Sequence, residues 1–140
     1  MGRQEELADQ LASFALFSDL TTPQLRALIE TFEERTFPEG ERVLRQGISG
    51  SAFFVILEGE AAVSVDGQER TVLPRGEFFG EVSILLGETP VADIVARTPL
   101  RCLVLPADQV RGFLTQYPSV MYRMLQAQSR RLRTANQWRS

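Results

Sequence analysis

Apolar residues recur at helical spacing from Glu5 onward, at Leu7, Leu11, Phe14 and Phe17, and predict an amphipathic first helix. A second helix is predicted to start at Thr21-Thr22-Pro23, where a hydroxyl cap precedes a proline in the first turn. Leu25, Leu28, Ile29 and Phe32 give it one apolar face. The helical pattern runs to about Arg35 and stops at the turn Phe37-Pro38-Glu39-Gly40.

Between Gly40 and Pro106 the pattern changes to short apolar runs punctuated by glycine. Runs at Arg42 to Arg45 and Ala52 to Leu57 read as strands, the second rich in aromatic and β-branched residues. Ala61 to Val65 and Arg70 to Leu73 flank Asp66-Gly67, a strong hairpin signal. Ile94 to Ala96 and Arg101 to Leu105 add two more strands. Glu81 to Leu86, bounded by Gly80 and Gly87, reads as one helical turn inside the β region. From Ala107 to Trp138 the pattern is helical again, broken at Tyr117-Pro118. Many short strands at this spacing indicate a sandwich or barrel. With no repeat, low-complexity tract or linker, the 140 residues are expected to form one domain: helices over 5–35, the β region over 37–106 and helices over 107–138.

Composition narrows the chemistry. The chain is 44% hydrophobic and 24% charged, as in ordinary globular proteins. It has no histidine and one cysteine, so the usual ligands of catalytic zinc, iron or copper are missing, as is histidine acid–base chemistry. Cys102, in an apolar run, is expected to pack as a small hydrophobe. No apolar run approaches the roughly 18 residues that span a bilayer, and Met1 to Glu6 lacks a secretory pattern, so a cytoplasmic, membrane-free protein is expected.

The stretch Gly76-Glu77-Phe78-Phe79-Gly80-Glu81-Val82-Ser83-Ile84-Leu85-Leu86-Gly87 resembles the phosphate-binding cassette of cyclic-nucleotide-binding domains. In such a cassette, backbone N–H groups at the start of a short helix meet a phosphate, and glycine permits the close approach. A carboxylate at the position of Glu81 can accept a hydrogen bond from a ribose hydroxyl. The resemblance extends upstream to Phe37–Gly47 and Phe53–Glu60, and downstream to Ala96–Leu105 and Ser129–Thr134. It implies a mainly β fold with flanking helices: an eight-stranded jelly roll (double-stranded β-helix) with N-terminal helices and a long C-terminal helix. It also implies a non-enzymatic regulatory module of the kind that includes catabolite activator protein, with a cyclic mononucleotide or related anion as its ligand and no other cofactor. A metal-dependent jelly-roll enzyme is excluded by the missing histidines.

The sequence departs from the family pattern where the phosphate-gripping arginine belongs. Counting from Gly80 and back from Ala96-Arg97-Thr98 puts Pro90 in that place, or Val91 if the proline is the anchor. Neither side chain can make the bidentate contact of a guanidinium. Losing two charge-assisted hydrogen bonds of about 1.5–3 kcal/mol each weakens binding by roughly a hundredfold or more. Asp93 would repel a phosphodiester if it faced the pocket; Arg75 and Arg97 flank the cassette as substitutes. The residues expected at the ligand are thus Phe79, Gly80, Glu81, Val82, Ser83, Pro90, Val91 and Ala92, with Asn136 and Trp138 of the last helix near a base.

The last helix carries a second pattern. Met121, Leu125, Gln128, Leu132 and Ala135 fall at alternating four- and three-residue steps, a coiled-coil-like seam that implies a homodimer, as in the bacterial branch of the family. The same stripe could instead pack on its own barrel. All 15 cationic residues are arginine, and the last 40 residues hold seven of them against one acid. Without a reading-head motif this charge is expected on a solvated helix face rather than on DNA. Two functions stay open: a ligand sensor of altered specificity, or an interaction and dimerisation adaptor that kept the fold and signals to an unidentified effector.

Overall fold

The structure, a computed structural model, describes residues 2–48 and 51–137. Helix α1 (Arg3–Ala12) and a 3-10 turn (Ala15–Phe17) precede helix α2 (Thr22–Thr31). Strands follow in the order β1 (Glu33–Phe37), β2 (Arg42–Leu44), β3 (Ala52–Glu58), β4 (Ala61–Val65), β5 (Gln68–Leu73) and β6 (Phe78–Phe79). The short helix α3 (Glu81–Leu86) separates these from β7 (Asp93–Ala96) and β8 (Leu100–Pro106). Helices α4 (Ala107–Gln116) and α5 (Pro118–Gln137) close the chain.

The eight strands form two antiparallel four-stranded sheets, ordered β1-β8-β3-β6 and β2-β7-β4-β5, the jelly roll that the resemblance implied. The β4–β5 hairpin turns at Asp66 and Gly67, both at positive φ as a primed two-residue turn requires. The start of α2 is as expected: the Gln24 N–H donates to the Thr21 hydroxyl and the Thr21 N–H to the Gln24 side chain, a complete capping box.

The end of α2 corrects the sequence reading. Its helix stops at Thr31, and Glu33–Phe37, whose first four residues are exposed, is strand β1 paired with β8. Those polar residues mimic a solvated helix end, but pairing with the buried β8 decides their conformation.

Strand β3 is buried on both faces, and its alternation divides the core. Phe53, Val55 and Leu57 pack with α1, α2, α4 and α5, whereas Phe54 and Ile56 point between the sheets. Phe78 and Phe79 split the same way, and Phe79 stacks on Phe54 at 4.7 Å between ring centroids. Cys102 is fully buried between the sheets, where burial pushes its thiol up to about 12; it packs as a small hydrophobe.

Candidate functional site

The approach to α3 is set by Gly80. It sits at φ +93°, and a Cβ there would lie 2.1 Å from the Ala52 carbonyl oxygen. Only glycine lets the chain pass this close to β3 and turn directly into the helix. The turn drives Glu81 inward, so that a carboxylate at the first helical position is 1% exposed. Ser83, one residue after the half-buried Val82, is also buried, its hydroxyl bonded to the Gly80 carbonyl and the Ser51 hydroxyl.

Glu81 faces a cavity of about 130 Å³ at the end of the roll. Leu44, Val63, Leu73, Phe79 and Ile94 give it an apolar floor. Gly80, Val82 and Ser83 wall it on the α3 side, and Pro90, Val91 and Ala92 on the other. Eight of the ten residues expected at the ligand therefore meet around one space. Asn136 is exposed and apart from that lining, and Trp138 lies outside the described residues.

Both candidates for the missing arginine's place line the cavity: Pro90 is buried, and Val91 is about half exposed. Asp93 does not; its carboxylate accepts from the Gln46 N–H at 2.8 Å and holds the loop after β2. The flanking arginines are engaged elsewhere. Arg75 lies over the Phe14 ring at 5.2 Å, and Arg97 pairs with Glu69 at 3.4 Å.

A cation nevertheless reaches the cavity, from a position the sequence reading passed over. Arg131 of α5 places Nη1 3.5 Å from Glu81 Oε2. Its Nη2 donates to the Phe78 carbonyl at 2.9 Å and to Glu77 at 3.1 Å, and the guanidinium covers the Phe78 ring at 4.4 Å. Gln128 Nε2 donates to the same Glu81 oxygen. The other carboxylate oxygen, Oε1, is buried and receives no hydrogen bond among the described residues. Burial pushes the Glu81 carboxyl above its ordinary value, opposed by Arg131, the Gln128 bond and its own backbone N–H.

A stripe containing Arg131 exists in the sequence, but the structure is what sets it apart from the expected seam. Val120, Met124, Ala127 and Arg131 fall at steps of four, three and four, and this stripe, offset by one residue from the expected seam, turns toward the body. Met121, Leu125 and Leu132 of the expected seam are 42%, 63% and 62% exposed, while Gln128 at its centre turns to Glu81. A second cavity of about 240 Å³ lies across Arg131, bounded by Leu16, Arg123 and Arg130. It lacks the cassette and the buried carboxylate, so the smaller space is the candidate site.

The jelly roll, the glycine-led helix and the inward carboxylate define a β-roll domain with a small cavity beside a buried acidic side chain. The family model of the cyclic nucleotide-binding domain matches residues 34–117. A cGMP-dependent protein kinase of Eimeria tenella is 32% identical over 119 residues, 84% of this chain and 12% of that protein. The catabolite activator protein of Thermus thermophilus superposes with a TM-score of 0.77 at 28% identity, covering 87% of this chain and 60% of that one. The sensor domain of the transcriptional regulator DNR from Pseudomonas aeruginosa, 23% identical, shares the fold with a TM-score of 0.76 over 96% of this chain and 94% of its own. The chain belongs to the cyclic-nucleotide-binding domain family. It spans about an eighth of the kinase it matches, and its described residues contain no kinase domain.

Proposed function

We propose that this chain is a non-catalytic sensor in which the cassette cavity takes a small ligand and α5 reports its presence. The observation that carries this reading is the shared carboxylate: Glu81 lines the cavity, and one of its oxygens accepts a hydrogen bond from Gln128 and pairs with the Arg131 guanidinium, both of α5. A ligand that engages Glu81 competes with, or adds to, the contacts that seat the helix. Differential contact of this kind is what lets a ligand shift a conformational equilibrium.

Cyclic AMP and cyclic GMP are weak ligands on this reading, because the wall at Pro90, Val91 and Ala92 offers hydrocarbon where a phosphodiester needs a cation. Thermal shift and calorimetry with both nucleotides test this on the wild type and on Val91→Arg and Pro90→Arg. An arginine in the right place strengthens binding about a hundredfold or more. If both variants fold and neither binds, the cavity is not the ligand site.

A second reading is favoured by the exposed stripe of Met121, Leu125 and Leu132 on α5. In it the chain is a homodimerising adaptor, joined through that seam, that acts on an effector protein without a ligand. Sedimentation of the wild type and of Leu125→Glu separates the two: the adaptor requires a dimer that the charge dissociates.

A further inference from the structure

The larger cavity, of about 240 Å³ on the other side of Arg131 from the cassette, is basic. Arg123, Arg130 and Arg131 of α5 all line it, against one carboxylate on that lining, Glu77. The helix spacing brings them together. Residues 123, 127 and 131 lie one turn apart on one side of α5, with 130 beside them, and the small Ala127 leaves room between the arginines. Helix α5 contains no acidic residue to neutralise them.

Two of the three find partners on other elements. Arg123 donates to both carboxylate oxygens of Asp19, at 2.8 and 3.0 Å, and Arg131 is divided among Glu77, Glu81 and the Phe78 carbonyl. The Asp19 and Glu77 side chains are 42% and 43% exposed, and ion pairs so open to water contribute little. Among the described residues Arg130 has no ion-pair partner at all. Like charges converging on one concave space repel, and an anion seated among them replaces that repulsion with attraction. The floor is apolar: Leu16 and Phe78 are buried, and Ala127 is half-buried.

We infer that this cavity is a second ligand site, separate from the cassette, that takes a small organic phosphate. The phosphate oxygens accept from Arg130 and from the remaining N–H groups of Arg123 and Arg131, and the carbon body lies on Leu16, Phe78 and Ala127. A guanidinium suits this group because its planar donors meet two phosphate oxygens at once. Binding here needs no ligand in the cassette cavity.

The test is calorimetry on the 140-residue chain with phenyl phosphate and inorganic phosphate, at low and at high salt. Phenyl phosphate binds one to one and several times more tightly than inorganic phosphate, and its affinity falls as salt rises. Arg130→Gln weakens it about tenfold, whereas Arg133→Gln, further along α5 and off this lining, leaves it unchanged. Both positions are exposed, so both variants should fold. Arg130 lines this cavity and not the cassette one, so its effect also separates the two sites. No binding of phenyl phosphate at low salt overturns the inference. So do equal losses in the two variants, which mean diffuse attraction to a basic helix, and an Arg130→Gln variant that binds as the wild type does. Inorganic phosphate binding as tightly as the ester contradicts an organic ligand.

Discussion

The two walls of the cavity, on either side of Gly87, have different relations to the rest of the molecule. The α3 wall is tied in by its backbone and side chains: Gly80 passes against β3, Ser83 bonds back to Gly80, and Glu81 is held by α5. The opposite wall, Pro90 to Ala92, meets the cavity with apolar groups, and its recorded hydrogen bond is a main-chain one, from the Gly47 N–H to the Pro90 carbonyl. One wall is therefore required by the fold as well as by any ligand. The other can change its side chains without disturbing the frame, and it holds both places, Pro90 and Val91, at which the sequence is expected to depart from the family pattern.

Substitutions at the two ends of α3 probe that contrast most strongly. Gly80→Ala puts a Cβ against the Ala52 carbonyl at a left-handed φ and should cost about 3 kcal/mol or more in urea unfolding. Gly87→Ala, also at positive φ but with open space around it, should cost only about 1 kcal/mol. Equal costs would mean that conformational strain alone governs both sites and that the close approach to β3 is unimportant.

A smaller effect is expected at Glu81, and its sign depends on pH. Burial raises the folded-state pKa of this carboxyl above its value in the unfolded chain, so the fold penalises the ionised form. The penalty is absent below the ordinary carboxylate range, grows as pH rises toward the raised value, and is complete above it. Glu81→Gln removes the charge and keeps an acceptor for Gln128, so the variant should be more stable than the wild type at neutral pH. The advantage should shrink as pH falls to about 4.5, the ordinary carboxyl value. A variant that is less stable at neutral pH would show that attraction to Arg131 outweighs burial.

Most of the fold was legible in the sequence because its strongest elements are local. The Asp66-Gly67 hairpin, the Thr21 cap and the glycine-bounded α3 each depend on residues close in sequence. Strand β1 was not legible, since Glu33 to Thr36 are polar and become a strand only through pairing with the distant β8. Within the site, the cassette could be found by counting, and both places counted for the family's arginine, Pro90 and Val91, line the cavity. Arg131 could not be found this way, because two stripes one residue apart on α5 both carry apolar residues. Choosing between them requires knowing which side faces the body, and Val120 and Met124 answer that only once the helix is docked. Asp93 shows the same limit: its neighbours Ala92 and Ile94 line the cavity, and its own carboxylate turns to Gln46.

The central claim is that α5 reads the cavity through Gln128 and Arg131, and the Gln128 side-chain amide reports on it directly. Two-dimensional ¹H–¹⁵N spectra would be recorded while ligand is added to the wild type or, for cyclic AMP, to Val91→Arg. The account predicts that the Gln128 Nε2 resonances and the backbone amides of 124–131 move together, with the same saturation curve as those of 79–92. Saturation of the cassette resonances with α5 unchanged would contradict it.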